Sequence, residues 1–179
     1  MKNLRKLMLA TAFIGLLASM QSCKSKDDAN YQMDNQTFVN QASSSNNFEI
    51  AAGTLATTKS SNTLILQYGS KMASEHTGVG RDLTAIASSK NLNVSTTLQA
   101  DHQTKINALA SLSGAQFDEQ FISMMISSHQ EAISLFQNAS SSRGVMDGDL
   151  RNFAANKLPS LKAHLQEAQS LQTKVQAAP

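Results

Sequence analysis

Four histidines are the residues best placed to do chemistry, and each falls in a different segment with helical periodicity. His76 follows Met72 by four residues, and His129 follows Met125 by the same interval. Side chains three or four residues apart share one face of a helix. The other two histidines also lie three or four residues from apolar side chains. We therefore expect all four to point into the protein interior: His76, His102, His129 and His164.

Inward histidines and methionines indicate metal binding. Imidazole binds zinc, copper, iron and nickel, whereas thioether sulfur selects copper(I). Helical bundles build metal sites from side chains on facing helices, so the four histidines, with Met72 or Met125, predict a copper or zinc site. Alternatively, the histidines hydrogen-bond to neighbours such as Glu75, Asp101 or Glu131, and the methionines fill the core. Both interpretations stay open, because the sequence does not fix the height of each histidine along the bundle.

The sequence gives little support for an enzyme or for a nucleotide-binding protein. A di-iron carboxylate bundle uses two Glu-x-x-His pairs, and the chain contains none. A ferritin-like oxidase is therefore only the second alternative, after metal binding. The chain also lacks a G-x-S-x-G elbow, a phosphate loop, a dinucleotide fingerprint and a cysteine-based zinc motif. No catalytic residue is predicted. The sequence favours a non-catalytic binding or structural module, with metal binding as the alternative.

The elements that must position these residues are helices. Serine and asparagine residues should interrupt the first segment near residues 43–47, and Pro159 should bend or restart the last one. Each amphipathic helix must bury its apolar stripe against others, which predicts an all-α, antiparallel helical bundle over residues 35–175. The apolar periodicity predicts helices at residues 37–59, 63–89, 96–112, 115–140 and 149–175.

The first 22 residues predict export. Three basic residues are followed by the apolar run LMLATAFIGLL, and Ser22 then precedes Cys23, the only cysteine. This layout is typical of a cleaved secretory signal at residues 1–22, and the run is shorter than the roughly 20 residues that span a bilayer. The position of Cys23 resembles a bacterial lipobox, in which the thiol is lipidated. Polar residues 23–34 predict a flexible tether.

The residues after the predicted cleavage site indicate where the protein is located and which partners it meets. Lys26-Asp27-Asp28 resembles the signal that sends Bacteroidetes lipoproteins to the cell surface, although a solvated linker has the same composition. We expect an outer-membrane lipoprotein of the cell envelope, periplasmic or surface-exposed, that meets the membrane through a lipid such as palmitate on Cys23. Removal of residues 1–22 changes the formal net charge from +2 to −1, so no nucleic-acid partner is expected. Protein partners stay undefined.

Five segments together resemble the exported bacterial family called domain of unknown function 4142. The resemblance covers residues 35–171 and implies a ferritin-like bundle, often described as an outer-membrane protein. The family usually has aspartate before the histidine in the second and fourth segments, where this chain has Glu75 and Ser128. The family brings no catalytic residues with it. The segments are FEIAAG at 48–53, KMASEH at 71–76, LSGAQFD at 112–118, MISSH at 125–129 and LPSLKAH at 158–164.

Overall fold

Five α-helices account for most of residues 31–176, the part of the chain that the computed structural model describes. The predicted signal and Cys23 lie outside the described residues, as does most of the predicted tether. Within residues 31–176 there is no strand beyond an isolated bridge between Met33 and Val145, and none of the helices is long and apolar enough to cross a membrane. The predicted all-α bundle is confirmed. The helices are α1 (Asn35–Lys59), α2 (Thr63–Ser89), α3 (Ala100–Ala110), α4 (Gly114–Ser140) and α5 (Gly148–Gln176).

The ends of the helices follow local sequence signals. The Asp34 side chain accepts a hydrogen bond from the backbone N–H of Thr37, 2.9 Å away, at the start of α1, and the Asn62 side chain accepts one from Leu64 at the start of α2. These side chains satisfy N–H groups that have no partner inside the helix. Helix α2 has the predicted bounds, whereas α3 begins at Ala100, four residues later than predicted.

Two helices are continuous at the points where the sequence predicted a break in α1 and a bend or restart in α5. Helix α1 runs through residues 43–47, and α5 runs through Pro159. The polar residues in the middle of α1 are buried rather than looped out, because Ser44 and Asn46 bond to side chains of other helices. Residues 43–47 thus have the polar composition of a loop, but they lie in a helix and form part of the polar interior of the protein.

The four long helices form a bundle with one long crossover. Short turns make α1 antiparallel to α2, and α4 antiparallel to α5. Helix α1 is also antiparallel to α4, since Phe38 contacts Phe136 while Glu49, further along α1, contacts Ser128, earlier in α4. Helices α2 and α4 therefore run in the same direction, and residues 90–113, which include α3, cross between them. A single long crossover is the connectivity of ferritin-like folds.

Two apolar clusters fill the bundle on either side of a polar layer. One cluster contains Phe38, Leu83 and Phe136, and the other contains Phe48 and Met125. Along each long helix the buried polar residues, apart from Asp118 in α4, fall between members of the two clusters. The polar layer therefore lies at one height, with apolar packing above and below it.

Glycines let α1 and α2 approach closely. A Cβ atom on Gly53 would lie 2.5 Å from the carbonyl oxygen of Gly69, and one on Gly69 would lie 2.5 Å from the Cβ of Ala56. Both distances are far below van der Waals contact, so a larger residue at either position would push the two helices apart. Gly78, in the same helix as Gly69, has open space around it.

Substitution of Gly53 by alanine should therefore destabilise the fold, whereas the same change at Gly78 should not. Overpacking at a close helix contact costs about 1–3 kcal/mol, while Gly78→Ala should add roughly 0.5–1 kcal/mol by favouring the helix. Urea unfolding followed by circular dichroism gives both values. A Gly53→Ala variant as stable as the parent protein would contradict the close contact.

Candidate metal centre

Three of the four predicted histidines come together in the polar layer. His76 from α2, His129 from α4 and His164 from α5 each offer one ring nitrogen, and these nitrogens lie within 4.8 Å of one another. The ring centroids are 5.3–5.8 Å apart. All three side chains are buried. The structure thus selects one nitrogen from each of three helices and directs them at a common point.

Helix α1 adds a carboxylate that the sequence reasoning missed. Glu49 is only 1% exposed, and its Oε2 lies 2.6 Å from Nε2 of His76 and 3.7 Å from Nε2 of His129. Its Oε1 accepts a hydrogen bond of 2.6 Å from the Ser128 hydroxyl. The available signal was its position, because Glu49 lies three residues before Ala52 on the inward side of α1. Each long helix therefore supplies one group.

In His129 and His164, the outward nitrogen, which is the ring nitrogen that points away from the cluster, donates a hydrogen bond to a neighbouring acceptor. Nδ1 of His129 donates to the backbone carbonyl of Met125, 2.7 Å away, and Nε2 of His164 donates to Oε2 of Glu75 at 2.7 Å. The Tyr68 hydroxyl donates to the backbone carbonyl of His164 and holds that turn of α5 in place. Because a neutral imidazole carries one proton, the opposite nitrogen of each ring has a lone pair.

His76 is held in the same way by α1. Its Nδ1 lies 3.1 Å from Oδ1 of Asn46 and donates to that oxygen. A Cβ atom on Gly80 would lie 2.9 Å from Nδ2 of Asn46, so Gly80 makes room for the amide. A glycine that weakens the helix by propensity alone thus allows Asn46 to orient His76.

In Glu49 and the three histidines, the atoms that point toward one another make no hydrogen bonds. The 2.6 Å contact between His76 and Glu49 lacks hydrogen-bond geometry even though it is short. Buried polar atoms in proteins nearly always have a partner, so a cluster of four unpartnered atoms that face one another requires an explanation. Those atoms, unpartnered among the described residues, are Oε2 of Glu49, Nε2 of His76, Nε2 of His129 and Nδ1 of His164.

The electrostatics favour an anionic carboxylate and a neutral imidazole. Burial alone would raise the pKa of Glu49, but electrostatic interactions with His76 and His129 and the hydrogen bond from Ser128 outweigh burial and lower that pKa to about 2. Burial is also the main cause that lowers the pKa of His164, against the raising effect of its hydrogen bond to Glu75. Ionised carboxylate and neutral imidazole are the protonation states that bind metal ions.

The structure does not bring His102 into this group. His102 lies on α3, where its Nδ1 is 2.8 Å from the Ser44 hydroxyl and its ring stacks on Phe48 with centroids 5.0 Å apart. The Ser44 hydroxyl also accepts a hydrogen bond from the backbone N–H of Gln99. These contacts give His102 a packing role, in which it fastens the crossover segment to α1.

The two methionines that the sequence singled out lie in the apolar cluster next to the polar layer. Met72 and Met125 are fully buried there together with Phe48. The group that Met125 gives to the centre is its backbone carbonyl, which holds His129. The converging donors are therefore nitrogen and oxygen, so the argument for copper(I), which rested on thioether sulfur, loses its basis.

A dinuclear carboxylate centre is not what these residues build. Among residues 31–176, Glu49 is the carboxylate that approaches the inward nitrogens within 4.0 Å. The nearby Glu75 binds the outer side of His164 and is partly exposed. Di-iron bundles need several bridging and terminal carboxylates, whereas three imidazoles and one carboxylate suit a single ion.

The distances fit a mononuclear centre if the three nitrogens move inward and if Oε2 of Glu49 and Nε2 of His76, which are 2.6 Å apart, separate slightly. Metal bonds to imidazole and carboxylate are about 2.0–2.2 Å long, which places tetrahedral donors roughly 3.3 Å apart. The three nitrogens, within 4.8 Å of one another, would each move inward by about 1 Å or less, a shift that side-chain rotation can supply.

Comparison with known proteins assigns the chain to a family but does not indicate an activity or a ligand. No curated protein and no solved structure matched it. A family model matched residues 21–171, which include all four groups of the centre, and the resemblance found in the sequence is thereby confirmed. The chain belongs to the family described as Domain of unknown function (DUF4142).

Proposed function

We propose that this protein binds one transition-metal ion through Glu49, His76, His129 and His164. The observation that carries the proposal is the orientation of the three imidazoles. Each outward nitrogen already donates to an acceptor, so each inward nitrogen presents a lone pair to the same point. Histidine ligands in metal proteins are held in this way by a hydrogen bond to the nitrogen that does not bind the metal.

The energetic argument supports a cation at that point. An unpartnered buried polar group costs about 1–3 kcal/mol, and more when it is charged. Three lone pairs and the carboxylate of Glu49 face one another without a hydrogen bond. A divalent ion would accept a lone pair from each of the four groups and compensate the negative charge. One bound ion would thus remove the energetic cost of all four unpartnered groups.

The donor set narrows the choice of ion. Imidazole nitrogens suit zinc, copper, iron and nickel, whereas all-oxygen sites suit magnesium and calcium. Zinc(II) and copper(II) are therefore the first ions to test. The sequence favoured a binding or structural module without a metal, and the convergence of three buried histidines favours the metal-binding alternative.

Metal titration of the purified protein should show one tight site per chain. His129→Ala should lower the affinity for zinc(II) or copper(II) by more than about 100-fold, since loss of a ligand exceeds the 10–100-fold effect typical of a supporting residue. His102→Ala is the matched control, because it removes a buried histidine outside the centre. Calorimetry and elemental analysis measure both variants. Equal losses in the two variants, or no binding by the parent protein, would contradict the proposal.

Glu75 should act as a positioning residue for His164. Glu75→Ala removes the acceptor of the Nε2 proton and should weaken metal binding by roughly 10–100-fold, while Glu75→Gln keeps an acceptor oxygen and should restore most of the affinity. Glu167→Ala is the control, since Glu167 is a partly exposed carboxylate on the same pair of helices that bonds Lys71 instead. A Glu75→Ala affinity equal to that of Glu167→Ala would argue against positioning.

We also propose that a lipid on Cys23 anchors this bundle to a membrane. The support is the sequence, in which the only cysteine follows a short apolar run. The backbone N–H groups of Gln32 and Met33 donate to the carbonyls of Arg143 and Gly144. These bonds fix the start of the domain at the α4–α5 turn, so that end of the bundle would face the membrane.

Fatty-acid labelling in bacteria tests the anchor. The parent chain should incorporate labelled palmitate and partition with membranes, and Cys23→Ser should lose both properties while the bundle folds normally. Ser25→Ala, in the predicted tether, controls for general effects of substitution on export. Labelled lipid on the Cys23→Ser protein would show that the anchor is elsewhere.

A further inference from the structure

A small cavity adjoins the proposed metal centre. Its wall includes Glu49, His76 and His164, which are three of the four donors, whereas His129 is not part of it. The cavity therefore borders the centre where Glu49, His76 and His164 meet. Its volume is about 20 Å³. A buried water needs roughly 10–15 Å³ by this kind of measure, so the space admits a ligand of very few atoms.

The rest of the wall selects for small ligands. Most of it is apolar, and a wall of this kind cannot hydrogen-bond a larger polar molecule. Asn46 also lines the cavity, but its amide oxygen is already bonded to His76. The apolar wall consists of Ala42, Val79, Ala132, Phe136 and Leu161.

The cavity leads from the donors toward the surface of α5. Ser160, which is exposed, and Lys157 and Ser45, which are half-buried, form its outer edge. The ammonium group of Lys157 is paired with Asp82 at 2.6 Å. A ligand could therefore reach the centre from the surface of α5, where Lys157 and Ser160 line the cavity.

From this arrangement, and resting on the proposed metal binding, we propose that the centre keeps a coordination position that faces the cavity and accepts a small exogenous anion such as hydroxide or azide. With four protein ligands this position would be the fifth, and catalytic zinc sites expand to five ligands in the same way, while the cavity beside Glu49, His76 and His164 provides the space for it. A divalent ion with one carboxylate ligand retains a net charge of about +1, which favours an anion over a neutral ligand.

Azide binding to the copper(II)-loaded protein tests this inference. Azide coordinated to copper(II) produces a charge-transfer absorption band, so titration should give a saturable band with one azide per metal. Ala132→Val adds two methyl groups to the cavity wall and should weaken azide binding at least tenfold while the protein still binds one copper. Ala139→Val is the control, because Ala139 is also buried on α4 but does not line the cavity. If Ala132→Val does not fold, Ala42→Val fills the cavity from α1.

The outcomes separate this inference from the metal proposal. Stoichiometric copper binding without an azide band would show a closed site, which overturns the open position and leaves the metal centre intact. Equal azide affinity in the parent protein and in a folded cavity-filling variant would also overturn it, since the anion would then bind elsewhere. Failure to bind any metal would overturn both proposals.

Discussion

An ionised carboxylate inside a helical bundle must be compensated, and this requirement governs the arrangement around Glu49. Its side chain is 1% exposed, and an uncompensated buried charge is among the most costly features that a folded protein can contain. The Ser128 hydroxyl satisfies one carboxylate oxygen, while the other faces His76 and His129. The polar layer surrounds this oxygen with imidazole nitrogens that would share the proposed metal ion with it.

The remainder of the fold keeps that layer rigid. Apolar clusters above and below it exclude water and fix the height of each helix, and the glycine contact between α1 and α2 sets how closely Glu49 and His76 approach. The crossover segment is fastened to α1 by His102 and Ser44. Because each donor comes from a different long helix, a change in the packing of any one helix would alter the geometry of the centre.

The site has the features of a preorganised centre. The histidine tautomers are fixed by acceptors outside the layer, so little rearrangement is needed when a cation arrives, and preorganisation of this kind raises affinity by lowering the cost of ordering. The cavity lined by Glu49, His76 and His164 is small, which would restrict a further ligand to a few atoms. A bundle with the proposed ion in this centre would retain the ion tightly and limit access to it.

The sequence by itself determined the helical architecture, the bounds of α2 and the inward direction of the histidines, because periodicity of apolar residues fixes which face of a helix is buried. It did not determine which histidines meet. Periodicity says nothing about the height of one helix against another, so His102 looked equivalent to His164. Nor did it identify Glu49, since a single acidic residue beside apolar ones is common on helix surfaces, or recognise the serines and Asn46 of α1 as interior. Tertiary packing decided these points, because only the antiparallel pairing of four helices brings residues 49, 76, 129 and 164 to one level and buries a charge that local sequence would leave in water.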